Sequence, residues 1–153
     1  MITALLMFHM LVTVALIGAV THQALAVWWP VTAGPQSFFA SFRAVRAGAY
    51  TNAVIVLYIT AVIAGGILYP DYRIDVRTFL EAMRLKAANG IFEVKEHYAA
   101  LGLGLLPVYW LYWRKTLMDY AGARRAITLV LAFTVWWNFV VGHLLNNIRG
   151  FGL

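Results

Sequence analysis

Four long apolar stretches, at roughly 3–28, 51–69, 97–113 and 126–148, alternate with three links that carry most of the charge. Each approaches the about 20 residues that a helix needs to cross the roughly 30 Å hydrocarbon layer of a bilayer. The last, AITLVLAFTVWWNFVVGHLLNNI, holds no charged residue at all. The pattern predicts an all-α fold: an integral membrane four-helix bundle, one transmembrane domain over 1–153, with lipid on its outside.

The links carry a second, shorter pattern. In 31–50, Phe38, Phe39, Phe42 and Val45 recur at helical spacing while Arg43 and Arg46 face elsewhere. In 75–89, Val76, Phe79, Leu80, Met83 and Ala87 form a stripe, Arg77, Glu81, Arg84 and Lys86 fall largely off it, and Asn89-Gly90 supplies a stop. Both read as short amphipathic helices lying in the membrane interface. The third link is short and basic, with Arg114, Lys115, Arg124 and Arg125 against Asp119. Span ends are marked by Trp28-Trp29-Pro30, Tyr69-Pro70 and the Tyr109–Trp113 aromatic run. Gly18 and Ala15 beside His22, and Gly65-Gly66, are expected points of close helix approach, and Pro107 an expected kink.

Composition agrees with a membrane domain, at 63% hydrophobic and 12% charged residues. The net charge of +6 does not imply nucleic acid, because the basic residues sit in short loops beside spans, where headgroups and orientation account for them. With no cysteine, disulfides, thiolate metal sites, iron–sulfur clusters and covalent c-type haem are excluded. The first span ends in Ala24-Leu25-Ala26, as a signal peptide does, but no positive residue precedes it, so it reads as an uncleaved span. Lysine and arginine divide evenly between the two sides. The dense cluster at 114–125 is the stronger cytoplasmic signal and places the N-terminus, the 71–96 link and the C-terminus outside a bacterial cytoplasmic (inner) membrane.

Histidine placement carries the candidate chemistry. Alternating spans put His9, His97 and His143 toward one membrane surface and His22 in the other leaflet. His9 and His22 are thirteen positions apart on different faces, and the small neighbours of His22 favour packing over ligation. His9 and His143 each lie about six residues, or roughly 9 Å, from that surface, on helices that are neighbours in an up-down bundle. Asn146 and Asn147 follow His143 by about one turn, with Arg149 beyond. Glu93 and His97 are spaced i,i+4, a pairing that suits metal ligation or a proton relay but equally a solvated helix start.

Two imidazoles at one depth on facing helices are what a b-type haem requires of its protein. Arg149 or Lys95 would pair with propionates at the rim. In architecture and histidine placement the chain resembles four-helix membrane b-type cytochromes, and departs from the diheme members in having no second histidine beside His22. The resemblance implies one haem b, with His9 and His143 as axial ligands, and electron transfer to a redox partner, with a quinone near Glu93, Glu96 and His97. A pigment of the chlorophyll type, held by a single histidine, is a variant. A second reading makes the chain a cofactor-free accessory subunit of a larger respiratory or photosynthetic membrane complex. A third joins His9, His97, His143 and Glu93 or Glu96 in a copper, zinc or iron site. No phosphate-binding glycine loop, activated nucleophile or intramembrane carboxylate pair points to an enzyme or transporter.

Overall fold

The structure, a computed structural model, describes residues 2–29, 47–114 and 120–151, with side chains as far as 147 in the last segment. The interfacial helix expected around 38–45, and Lys115 with Asp119, lie outside the described residues, as does the side chain of Arg149.

Helix α1 (Ile2–Trp28) is 27 residues of mostly apolar side chains, about 40 Å long. It closes with the Trp29 amide on the Leu25 carbonyl, one residue before Pro30. A short 3₁₀ turn, Ala47–Ala49, leads into α2 (Tyr50–Asp71). The stop expected at Tyr69-Pro70 does not occur. Pro70 lies inside α2, and the chain continues through a wider π turn, Tyr72–Val76, into α3 (Arg77–Ala82).

The chain breaks instead at Met83–Leu85. Leu85 N–H bonds to the Leu80 carbonyl and Arg84 N–H to that of Glu81, with Arg84 at φ 57. This is a Schellman closure with arginine in the left-handed position that glycine normally takes. The fully buried Leu80 anchors it. Asn89-Gly90, expected as the stop, falls inside the next helix, α4 (Lys86–Arg114). Asn89 there accepts from the Tyr72 hydroxyl at 3.3 Å and reaches Glu81 at 3.5 Å, so its side chain ties α4 back to the preceding corner. The expected stripe on 75–89 is met in part: Leu80 is buried and Val76 and Phe79 half-buried, but Met83 and Ala87 are exposed. Helix α4 runs on through Pro107, and α5 (Ala121–Phe151) completes the fold.

The described chain is all-helical. Three helical stretches, Ile2–Trp28, Ala47–Ala82 and Ala121–Asn147, are long and apolar enough to cross a membrane. Helix α1 packs between α2 and α5, α4 lies along α5, and a lighter α2–α4 contact closes the ring. The main core joins Leu16 and Val20 of α1, Val54 and Tyr58 of α2, Leu106 and Tyr109 of α4, and Leu131 and Val135 of α5. A second cluster, Leu80, Ala88, Val141 and Leu145, seats the α3–α4 corner on α5.

In lipid, packing and interhelical hydrogen bonds hold helices together more than hydrophobic burial does. Two places show this. Buried Gln23 accepts from the Tyr109 hydroxyl and donates to the Ala47 carbonyl at 2.8 Å and to Thr51 Oγ1 at 3.3 Å, joining α1, α2 and α4. Gly102 lets the Tyr58 ring cross to α4, where its hydroxyl donates to the Ala99 carbonyl at 3.0 Å. A Cβ at Gly102 would run into that ring. Gly102 is not among the expected points, while the close approach expected at Gly18 is not found: Gly18 is exposed with open space around it. His22 instead packs on Tyr50, ring centroids 4.7 Å apart.

Candidate functional site

At the end of the bundle where α4 begins, ionisable side chains from α1 and α4 are accommodated by glycines on the other two long helices. The His9 ring lies beside Gly65 of α2, its Cε1 3.5 Å from the place a Cβ would occupy. The Lys95 stem lies 3.6 Å from the corresponding place at Gly142 of α5. Lys95 and Glu96 lie within electrostatic range of His9. Lys95 is largely buried, pairs with Glu96 at 2.8 Å, and holds its ammonium over the Phe92 ring at 4.8 Å. The close approach expected at Gly65-Gly66 is thus realised at Gly65, and by an imidazole rather than a helix backbone.

His9 Nδ1 is buried without a hydrogen-bond partner, as are Thr134 Oγ1 and Trp137 Nε1. A buried imidazole nitrogen with no partner is costly and is where a proton, a metal or an unseen donor would attach. Thr13 bonds back to the His9 carbonyl at 2.7 Å, so the hydroxyl next on that face is spent on the helix.

The remaining predicted residues group differently. His143 is exposed, stacks parallel on Phe139 at 6.2 Å, and shares its Nε2 with Asn147 Nδ2 at 3.2 Å. The expected one-turn partnership of His143 and Asn147 is therefore present, while Asn146 is exposed. Glu93 and His97 also meet, but through the backbone: His97 Nδ1 is 2.7 Å from the Glu93 carbonyl oxygen. The Glu93 carboxylate turns instead toward Arg77, 3.6 Å away, and Arg77 also pairs with Glu81 at 2.8 Å.

This arrangement bears on a bis-histidine haem. The Cε1 corner of His9, which lies between its two nitrogens, faces Gly65 on α2, and the Nε2 of His143 is engaged by Asn147 on an exposed face. The two imidazoles are turned to different neighbours, His9 to Gly65 and His143 to Asn147. Among the described residues no three of His, Asp or Glu converge where a metal ion could be held, so the shared histidine–carboxylate centre is not formed.

The sequence places Lys95 at the rim as a propionate partner; in the structure its stem lies against Gly142 of α5 and its ammonium pairs with Glu96. Sequence reasoning missed the stack of Tyr72 on Phe92, centroids 3.5 Å apart, which joins the π turn to α4. The signal was available in part, since Gly142 adjoins His143 and Phe92 lies three residues before Lys95. Comparison of the chain with protein-family models, curated proteins and solved structures finds no match.

Proposed function

We propose that the protein is a four-span membrane subunit that works within a larger membrane assembly, bound to partner helices along α4. One observation carries this. Helix α4 packs along α5, yet it is not among the helices apolar enough to cross a membrane by themselves, and it exposes Glu93, Glu96 and His97. Around His9, α1 exposes apolar side chains, Leu6, Met7, Phe8, Met10 and Leu11. One flank of the bundle thus suits lipid and the other suits protein, as polar groups at membrane depth require a protein neighbour. On this reading the host is a respiratory or photosynthetic complex of a bacterial cytoplasmic membrane, with both termini outside.

A photoreactive residue in place of His97 tests it in the native membrane. A discrete, stoichiometric protein adduct is expected; lipid adducts alone would overturn the reading. A second reading, a haem b electron-transfer protein with quinone access, is favoured by the unpartnered Nδ1 of His9. It requires His143 to release Asn147 and turn inward. A Soret band with a sharp reduced α band, lost in His9→Ala and His143→Ala but kept in His22→Ala, would put that reading first.

A further inference from the structure

At the α3–α4 corner an apolar groove of about 380 Å³ runs between α4 and α5. Ala88, Val141 and Leu145 form its buried floor, and Leu85, Ile91 and Leu144 are its exposed walls. Its polar character is almost nil, so water gains nothing by filling it. It lies along the first turns of α4, ahead of the charged Glu93–His97 stretch, and it opens outward.

The charges beside it are unlike the others at this end. Arg77 is tied to Glu81 and Glu93, Lys95 to Glu96, and Arg73 lies over the Tyr69 ring. Arg84 and Lys86, on either side of the wall residue Leu85, are exposed and make no ion pair among the described residues. Arg84 moreover occupies a left-handed backbone position that glycine would fill more easily, so a cation is present where the local fold does not ask for one.

We infer that this groove binds one acyl chain of an anionic glycerophospholipid whose phosphate is held by Arg84 and Lys86. An apolar slot beneath two free cations at a membrane surface has the charge and shape of that ligand. A partner helix would satisfy the slot but leave both cations unpaired.

The test uses the full chain in mild detergent with equimolar phosphatidylglycerol and phosphatidylcholine of the same chains, retained lipid being counted by native mass spectrometry. One phosphatidylglycerol per protein is expected in preference to phosphatidylcholine. Arg84→Gly with Lys86→Gln should reduce that preference about 25-fold, about fivefold for each charge removed. The same variant should unfold at no lower temperature, because glycine suits the turn. Leu144→Gln, on the exposed wall, should weaken both lipids without changing their ratio. Photoreactive phosphatidylglycerol should attach within 85–91 or 141–145. Equal retention of the two lipids, an unchanged preference in the double variant, or attachment elsewhere would each overturn the inference.

Discussion

The His9 imidazole rests on the backbone of Gly65, with ordinary van der Waals room for a single methyl between them. The pair sets the tolerance of the α1–α2 contact. A glycine inside a helix costs roughly 1 kcal/mol relative to alanine, so Gly65→Ala should be neutral or stabilising by up to about that amount. Gly65→Leu has no such room for its branch and should destabilise by about 1–3 kcal/mol, which thermal unfolding in detergent will show. If leucine is tolerated as well as alanine, His9 does not lie against α2.

Gly102 gives the opposite result for the smallest possible change. A methyl there meets the Tyr58 ring and comes within 3.0 Å of Thr134 Cγ2, both on buried residues that cannot swing aside. Gly102→Ala should therefore destabilise by about 1–3 kcal/mol despite its better helix propensity. Adding Tyr58→Phe removes the clashing hydroxyl and should recover part of the loss, a coupling that a double-mutant cycle measures.

Gln23 is the polar junction of α1, α2 and α4. Replacing it with leucine leaves the Tyr109 hydroxyl without its buried acceptor, and the penalty for such an orphan is about 1–3 kcal/mol. Gln23→Leu/Tyr109→Phe, which removes both partners, should be closer to wild type than Gln23→Leu alone. Detergent melting curves of the three variants decide it.

Much of this fold was legible in the sequence because membrane helices announce themselves by apolar length, and α1, α2 and α5 lie where 3–28, 51–69 and 126–148 predicted. The misplacements have local causes. Tyr69-Pro70 reads as a stop since proline removes a donor, but Pro70 is carried inside α2 and the helix runs on through a π turn at Tyr72–Val76. Asn89-Gly90 was read as a stop since glycine ends helices, while the true break used Arg84, a residue with no left-handed preference to advertise it. At the site, the sequence places His9 and His143 level on neighbouring helices. Their orientation was not legible, because it depends on Gly65 admitting His9 toward α2 and on Asn147 holding His143 outward. Spacing along single helices says which residues share a level, not which way a ring between helices will turn.

The crossing of α4 is the step on which the four-span reading stands, since α4 is not among the three stretches apolar enough to cross a membrane, to which α1, α2 and α5 belong. The chain has no cysteine, so single reporters are clean. Ala87 and Gly122, at the two ends of α4 and its following turn, are both exposed, whereas Ala88 is buried and would label poorly for that reason alone. In sealed, oriented membranes, Ala87→Cys and Gly122→Cys should react from opposite sides with an impermeant maleimide. The positive cluster at Arg114, Arg124 and Arg125 further predicts that Gly122→Cys is the one protected from outside. Labelling of both from one side would mean that α4 returns without crossing. Opposite sides in the reverse sense would keep four spans and invert the orientation.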